Sequence, residues 1–450
     1  MDRKQSISCL TGTVIFFCLF CFPGLACAQN YYNVDCSGTQ SWASPTINSA
    51  LPLAVPGDYI VILGGPCTEN VNLNHASGIY LGALYGTSVN LVGNLSISDS
   101  QNLFIYGLNI TSASTSGISV QYSQDVIIDS CTSNNNAGNG LNVGNNSSVQ
   151  VQNFGSFNNN SSEGIHVEGS SQVGVLGWGG LIDISSNSGA GVYAARAEIN
   201  ILGNARIANN KAIPGSPVLS GFGIDFRGAA RGLLLGLWAP LVITGNEVGG
   251  ISLQENSELS ICGGNVYPGW TPVVIQSNGP TGISAAFGSQ LTLYSGDAGV
   301  QVLNHSSVGV DVYANSQAFF HGDVQIQHNG FGSDAMRAGM RVDGDSEAFL
   351  RGGEFVQNSG PGILALVNSS VDFSGTTFQS NGNGPIVCDS SAYMVTDSFN
   401  TTTNQWTSVP CKMPHNLGNH RHFDTAIDMP DWSRGMALEQ KYAKVAVRRH

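Results

Sequence analysis

A histidine and an arginine stand at matching positions of successive repeats in the second half of the chain, with two carboxylates close behind. Tyr294, His321 and Arg351 occupy the same outward position on consecutive strands, and Asp323 and Glu354 follow two and three residues later. An imidazole beside carboxylates supplies a general base near neutral pH, and a guanidinium binds an anion. The predicted catalytic residues are therefore His321, Asp323, Arg351 and Glu354. A solvated histidine with surface ion pairs is the alternative.

Aromatic side chains near the same face are candidates for binding a sugar. Trp178, Trp238 and Trp270 each follow the same strand in three different repeats, and Tyr267 lies beside the last. Sugar rings present apolar C–H faces that stack on aromatic rings. Packing of inserted loops onto the strand is the alternative explanation. The predicted substrate-binding residues are Trp178, Trp238, Tyr267, Trp270, Tyr294, Phe319 and Phe349.

These positions follow from a repeat that runs along most of the chain. A glycine-apolar-x-apolar segment, or a weaker form of it, recurs at intervals of 23 to 32 residues. Such spacing is typical of stacked three-strand coils with occasional insertions. We name the marker strand C and the two that follow it A and B. The sequence predicts an all-β, right-handed parallel β-helix of about thirteen coils. The markers stand at positions 70, 94, 117, 140, 164, 191, 223, 250, 282, 309, 339, 362 and 385.

An asparagine stands four residues before the marker in seven coils. Stacked asparagine side chains hydrogen-bond from coil to coil and tolerate the left-handed backbone of a tight turn. We therefore expect a structural role for them and not a ligand-binding one. The seven are Asn136, Asn160, Asn187, Asn246, Asn278, Asn358 and Asn381.

The order of strands C, A and B with an asparagine turn resembles the pectin-lyase-like superfamily, which includes pectate lyases, polygalacturonases and pectin esterases. The resemblance covers roughly residues 34 to 400, and residues 46–51 read as a short helix that plugs the open core at its start. It implies an active groove on the outward face of strand A. The fold hosts lyases, hydrolases, esterases, epimerases and adhesins, so it does not assign a reaction.

The catalytic motifs of these families are missing from the sequence. Residues 65–71 resemble the first pectinesterase block, but the Gln-Asp and Asp-Phe-x-Phe-Gly blocks do not follow. The Asn-Thr-Asp, Asp-Asp and Gly-His-Gly set of polygalacturonases is absent, as are the Trp-Ile-Asp-His and Arg-x-Pro-x-x-Arg segments of pectate lyases. The sequence favours a protein that binds a polysaccharide and cleaves it as a lyase or hydrolase. A non-catalytic adhesion or structural protein is the alternative.

The charge of the chain limits its partners. Residues 29–411 carry 25 acidic and 8 basic side chains, a balance of −17, and no Lys or Arg lies between Lys4 and Arg196. Nucleic acid is an improbable partner for so acidic a body. An anionic polysaccharide would need a bridging cation there, and calcium suits carboxylate oxygen ligands. The sequence shows neither a tight metal-ligand spacing nor a cofactor motif.

The two ends of the chain differ from the repeat. Residues 1–28 read as a signal peptide, with Arg3 and Lys4 before an apolar run and a small-residue cleavage site, which predicts a secreted, periplasmic or cell-surface protein. A lipid anchor at Cys27 is the alternative. No later stretch approaches the ~20 apolar residues of a membrane span. Residues 29–411 are predicted to form the β-helix domain and residues 412–450 a loosely ordered tail or docking segment.

Six cysteines follow the signal peptide, and export makes disulfides chemically reasonable. The expected bridges are Cys36–Cys67 and Cys388–Cys411, each between neighbours at one end of the repeat array. Cys131 and Cys262 lie five coils apart, roughly 24 Å at ~4.8 Å per coil. A disulfide needs Cα atoms within about 7 Å, so these two are predicted to be free thiols.

Overall fold

The predicted β-helix is present in the structure, a computed structural model that describes residues 29–215, 220–264 and 269–396. The chain winds into a right-handed parallel β-helix of about 14 turns, one more than the thirteen markers indicate. Strands of successive turns pair in parallel, so each coil contacts the one before it and the one after it. The predicted signal peptide and the predicted tail both lie outside the described residues.

The marker segments form one parallel sheet of thirteen C strands, the C sheet, as the repeat predicts. Each C strand begins within one residue of its marker, and Ile118, Leu141 and Ile165 stand opposite one another in register. The C strands are Val71–Asn74, Leu95–Ser98, Ile118–Gln121, Leu141–Gly144, Ile165–Glu168, Val192–Ala195, Phe222–Arg227, Gly249–Leu253, Thr281–Ala286, Val308–Tyr313, Ala338–Val342, Ile363–Ala365 and Ile386–Cys388.

The A and B strands form a second parallel sheet of 22 strands, the A/B sheet. Strands A and B run on into each other in several coils, and the two longest strands have 14 residues. The strands are Tyr31–Asp35, Tyr59–Gly64, Cys67–Thr68, Tyr80–Ala83, Val89–Val92, Gln101–Tyr106, Leu108–Thr111, Gln124–Asn134, Ser148–Ser156, Gln172–Ser185, Glu198–Ala208, Arg231–Leu235, Leu241–Thr244, Glu258–Gly263, Val273–Gln276, Gln290–Leu303, Gln317–Gln327, Glu347–Arg351, Glu354–Val356, Ser370–Ser374, Thr377–Gln379 and Tyr393–Thr396.

Alternation along the strands separates the core from the outer surface. In Gln317–Gln327, Ala318 and Phe320 are fully buried, whereas Phe319 and His321 are only partly buried. This is the period-2 pattern of a sheet with one face on the core. The inward side chains of all coils merge into one continuous apolar core that runs from the first strand to the last.

The asparagines before strand C form the predicted hydrogen-bonded ladder. Nδ2 of Asn136 donates to Oδ1 of Asn160 at 3.0 Å, and the same contact repeats in the next coil. Asn210 and Asn329 also belong to the ladder, although the four-residue spacing does not find them. His305 takes the place of an asparagine in one coil. The structural role of these asparagines is thus confirmed.

A short helix closes the N-terminal end of the core, as predicted. The α-helix Ile47–Ala50 continues as the 3-10 helix Leu51–Leu53 and buries Ile47 and Ala50. Thr46 caps it through a reciprocal hydrogen-bonded box with Ser49. The Glu69 carboxylate accepts hydrogen bonds from the backbone N–H of Ile47 at 2.7 Å and of Asn48 at 3.0 Å. Glu69, part of the pectinesterase-like segment, therefore has a structural role here.

The cysteines agree with the prediction wherever the structure describes them. Cys36 and Cys67 form a disulfide with a Cα separation of 5.1 Å. Cys131 and Cys262 are free and buried. Cys388 ends the last C strand, but Cys411 lies outside the described residues, so the Cys388–Cys411 bridge stays a prediction. No helix in the described ranges is long and apolar enough to cross a membrane.

Candidate active site

Tyr294, His321 and Arg351 stand side by side on the outer face of the A/B sheet. Strand pairing places Tyr294 opposite His321 and His321 opposite Arg351, as the repeat predicts. The rings of Tyr294 and His321 are 6.2 Å apart and tilted by 36°. All three side chains are partly buried. The column thus brings an imidazole between a phenol and a guanidinium.

A backbone bend between His321 and Asp323 sets the position of the first predicted carboxylate. Gly322 has a φ of 77°, and a Cβ there would lie 1.9 Å from the carbonyl oxygen of Ser295. A residue with a side chain therefore does not fit, since the bend needs both the left-handed backbone and the close approach. The hydroxyl of Ser295 donates to the backbone carbonyl of Asp323 at 2.6 Å. This bond anchors the chain where Asp323 emerges.

Arg351 makes a bidentate ion pair that the sequence analysis missed. Its Nη1 and Nη2 lie 3.0 and 2.8 Å from the two carboxylate oxygens of Asp372. Asp372 stands opposite Phe349 in the next coil, so it is the diagonal neighbour of Arg351. The alternation in residues 370–374 already pointed Asp372 outward, and diagonal neighbours in a sheet are within reach of a long side chain. The guanidinium is held in place by this pair.

The pKa values of two groups in the site, His321 and Glu354, are shifted toward each other. Burial lowers the pKa of His321, and the positive charge of Arg351 lowers it further. Burial raises the pKa of Glu354, and the neighbouring Asp323 raises it as well. At neutral pH the imidazole is therefore uncharged and can accept a proton, while Glu354 holds a proton more readily than a free carboxyl. Such an arrangement suits acid–base chemistry.

Phe319 and Phe349 form a stacked aromatic pair beside this column. They stand opposite each other on adjacent strands, with ring centroids 5.1 Å apart and planes 7° from parallel. Both rings are partly buried. Because carbon atoms in contact are about 3.5–4.0 Å apart, a 5.1 Å separation means that the rings overlap with an offset. Each ring lies two residues before a member of the column, Phe319 before His321 and Phe349 before Arg351.

The tryptophans pack on a second apolar cluster outside the main core. Leu176, Leu202, Leu235 and Cys262 are outward neighbours in the earlier part of the same column, yet all are buried. They are covered in part by Trp178 and Trp270, with Tyr294 at the edge of the cluster. Packing therefore accounts for these two tryptophans. Trp238 is 62% exposed, and Tyr267 lies outside the described residues.

The C sheet carries a charged cluster that the sequence analysis did not find. His166 lies between Glu163 and Glu168, with nitrogen–oxygen distances of 3.6 Å on both sides, and stacks on Tyr193 at 4.8 Å. Burial by itself would lower the pKa of His166, but the two carboxylates outweigh it and raise the pKa. The sequence contains the information needed to find this cluster, because the markers at 164 and 191 put His166 and Tyr193 at matching outward positions.

A buried aspartate extends this cluster by one coil. Asp225 stands opposite Tyr193 and is 1% exposed, and its carboxylate accepts a hydrogen bond from Nε of Arg227 at 2.9 Å. Burial raises the pKa of Asp225 to about 6, although Arg227 and the hydroxyl of Ser252 oppose the shift. The cluster therefore holds a carboxyl and an imidazole whose pKa values are both raised. Both lie on a different sheet from the predicted site.

In the described part of the chain, few potential metal ligands lie close to one another. The one group found there whose ligand atoms approach within 4.8 Å of one another is Cys36, Cys67 and Glu69. The two cysteines are joined in a disulfide, and Glu69 caps the N-terminal helix. These residues are therefore occupied by structural roles.

Comparisons with known proteins find similarity among solved structures alone. The chain is a right-handed parallel β-helix protein, and no family model and no curated protein sequence matches it. Among solved structures, pectate lyase Pel9A is similar at a TM-score of 0.41 and 14% identity, over 61% of this chain and 78% of that one. The A-module of the Azotobacter vinelandii mannuronan C-5 epimerase AlgE4 is similar at 0.41 and 13%, over 76% and 91%. An alginate lyase from Paenibacillus sp. str. FPU-7 is similar at 0.34 and 13%, over 79% and 98%. These are likenesses of fold.

Proposed function

We propose that this chain is a secreted protein that binds a polysaccharide on the outer face of the A/B sheet and performs acid–base chemistry on it. The observation that carries the proposal is the position of His321. It is an uncharged imidazole between Tyr294 and the fixed guanidinium of Arg351, and it lies beside the stacked pair Phe319–Phe349. The disulfide Cys36–Cys67 is typical of extracellular or periplasmic proteins.

Each group has a role in this proposal. The offset pair Phe319–Phe349 stacks on the apolar face of a sugar ring, which orients the neighbouring glycosidic bond or ring proton toward His321. His321 accepts a proton as the general base. Glu354 is the proposed general acid, and both burial and the neighbouring Asp323 raise its pKa. Arg351, held by Asp372, contributes a fixed positive charge.

A second function is favoured by the ion pair itself. Because both Nη atoms of Arg351 are engaged by Asp372, a substrate anion must compete with a carboxylate for the guanidinium. That arrangement suits a surface that holds a glycan without transforming it. A non-catalytic adhesion or structural protein is therefore the second candidate.

One experiment separates the two candidates. Reducing-end and unsaturated-product assays on a panel of plant and microbial polysaccharides measure turnover, and a glycan array measures binding. On any substrate found, His321→Ala is expected to lower turnover by roughly 100-fold or more, because a general base is removed. Phe349→Ala is expected to weaken binding. The matched control is His328→Asn, since His328 is exposed just after the end of the same strand and its φ of 56° suits asparagine.

The possible results have distinct meanings. Loss of turnover in His321→Ala with wild-type activity in His328→Asn supports the acid–base proposal. Glycan binding without any product supports the adhesive candidate. Wild-type turnover in His321→Ala excludes this column as the catalytic site.

A further inference from the structure

A ladder of aromatic rings covers the first coils of the same sheet, far from the candidate active site. Tyr31, Tyr59, Tyr80 and Phe104 stand opposite one another on four consecutive A strands. Their ring centroids are 4.9, 5.1 and 5.2 Å apart in that order. The planes of neighbouring rings are 15°, 37° and 24° apart, Tyr59 and Tyr80 are partly buried, and Phe104 is 9% exposed. Tyr31, at the end of the ladder, is 62% exposed.

A second row of rings adjoins the ladder. Tyr106 lies two residues after Phe104 on the same strand, with their ring centroids 6.4 Å apart. Tyr85 stacks on Tyr106 at 5.8 Å, with planes 9° apart, and is 82% exposed. The turn that carries Tyr85 is fixed, since Gly86 donates its backbone N–H to the Tyr106 hydroxyl at 3.2 Å. The exposed ring of Tyr85 contributes little to folding, and together with Tyr106 and the ladder it belongs to a contiguous aromatic patch that is available to a ligand.

A polar cleft lies next to these rings, where the chain turns from strand C to strand A. Its walls include His75, Asp99 and Tyr122 from three consecutive coils, with Gln124 at the start of the next A strand. Gln101, also on the cleft, precedes Phe104 by three residues, so cleft and ladder are roughly 10 Å apart along the strands. Tyr122 is 61% exposed. The cleft offers hydrogen-bond donors and acceptors beside an apolar platform.

The charge of this region selects the kind of ligand. No Lys or Arg lies between Lys4 and Arg196 in the sequence. Tyr122 and Arg196 each directly follow a C strand, and these two strands are three coils apart. Arg196 therefore lies roughly 14 Å from Tyr122 along the β-helix. The carboxylate of Asp99 in the cleft repels anions and accepts hydrogen bonds from hydroxyl groups. A polymer rich in hydroxyl groups and free of negative charge fits these conditions.

We propose that the aromatic ladder, the Tyr85–Tyr106 pair and the adjoining cleft form a second binding site, specific for an uncharged polysaccharide. Sugar rings stack on the exposed rings of Tyr31 and Tyr85, and their hydroxyl groups bond to the cleft around Asp99 and Tyr122. The site is independent of His321, because eight strand steps separate Tyr106 from His321 in the same column. At ~4.8 Å per step the two sites are roughly 38 Å apart.

The test uses the full chain and named probes. Affinity electrophoresis is run with three uncharged polysaccharides, xyloglucan, galactomannan and mixed-linkage β-glucan, and with polygalacturonate as the charged comparison. The variant Tyr85→Ala with Tyr122→Ala removes two exposed rings and should leave the melting temperature unchanged. We expect it to weaken binding of an uncharged glycan at least 10-fold. The control is Phe287→Asn, which removes a ring that is 55% exposed at a φ of 55° in a later coil.

Phe349→Ala distinguishes this site from the candidate active site. Weaker binding in the tyrosine double variant, with wild-type binding in Phe287→Asn, supports the second site whether or not Phe349→Ala also binds less tightly. Weaker binding in Phe349→Ala alone overturns it and leaves the proposed function intact. The second site is also overturned if the wild type binds none of the three uncharged glycans or binds polygalacturonate more tightly than all of them. A change in oligomeric state of the tyrosine variant, measured by light scattering, would identify the surface as a contact between copies and overturn the proposal too.

Discussion

The imidazole of His305 occupies the asparagine ladder directly against Asn329, with Nδ1 2.9 Å from the side-chain oxygen of Asn329. Nε2 faces the side-chain amide of Asn278 at 3.3 Å on the other side. His305 is fully buried, and burial lowers its pKa to about 4 even though the hydrogen bond to Asn329 opposes the shift. The folded chain therefore holds this histidine uncharged.

This contact predicts a loss of stability in acid. The unfolded chain takes up a proton near pH 6.5 and the folded chain only near pH 4, so stability is complete above pH 6.5 and falls as the pH drops toward 4. The loss attributable to His305 is on the order of 3 kcal/mol. His305→Asn restores the ladder residue of the other coils and should abolish this part of the pH dependence. Urea midpoints of both proteins between pH 4 and 7.5 measure it, and identical slopes would contradict the assignment.

The free thiols should react only after unfolding. Burial raises the pKa of Cys131 to about 12 and raises that of Cys262 as well, so neither forms the reactive thiolate in the folded chain. We expect no iodoacetamide labelling of the native protein and two labelled cysteines, Cys131 and Cys262, after denaturation without reductant. Four labelled cysteines would mean that the predicted bridge between Cys388 and Cys411 does not form. A peptide linking Cys131 to Cys262 would refute the coil register.

The charge next to His321 should control its protonation. Because Arg351 lowers the pKa of His321, Arg351→Met is expected to raise that pKa toward its ordinary value. Asp372→Asn leaves the guanidinium without its counter-charge, so it is expected to lower the pKa of His321 further. NMR titration of the imidazole protons measures both shifts. Shifts of the same sign in the two variants would show that Arg351 does not act on His321 through its charge.

The second apolar cluster should contribute measurably to stability. Leu202 is 3% exposed although it points away from the main core, so Leu202→Ala is expected to cost roughly 2–4 kcal/mol. The same substitution at Leu84, which is 53% exposed, serves as the control and should cost little. Tryptophan fluorescence should change in Leu202→Ala alone, because Trp178 and Trp270 pack on this cluster. Equal unfolding free energies for the two variants would argue against a packed second cluster.

Calcium should separate the two classes of glycan. The protein is acidic, so it repels an anionic polysaccharide. Binding of such a polymer is therefore expected to need a divalent ion that bridges its carboxylates to those of the protein. Binding of an uncharged glycan should not change when the ion is removed. Affinity measured with excess chelator and with added calcium tests both statements. Tight binding of polygalacturonate in chelator at moderate salt would count against the bridging ion.

The sequence predicted the fold well because one coil must stack on the next. A C strand starts within one residue of every marker, and the order Tyr294, His321, Arg351 is that of the structure. Register is strongly specified where one face of a sheet is buried, since a slip by one residue would expose the core side chains. The same reasoning located the free cysteines, whose separation follows from the count of coils.

Contacts made by side chains across coils were harder to predict. Arg351 and Asp372 are diagonal neighbours and do not stand directly opposite each other. In the asparagine ladder, His305 occupies a position that other coils fill with asparagine. The repeat pattern did not predict the aromatic ladder, for a different reason. Tyr31 and Tyr59 precede the first marker, so the repeat did not place them in the column that continues through Tyr80 and Phe104.

Because every coil adds the same step, the length of this β-helix can change only by whole coils. Gly117 and Gly140 are equivalent, and Ile118 stands opposite Leu141. Excision of residues 118–140 would join Gly117 to Leu141 and let the strands on either side meet in their old register. Loss or duplication of such a module would move the two ends of the A/B sheet by one increment of ~4.8 Å without altering either. Related chains could thus differ in reach by whole modules while keeping identical surfaces at both ends.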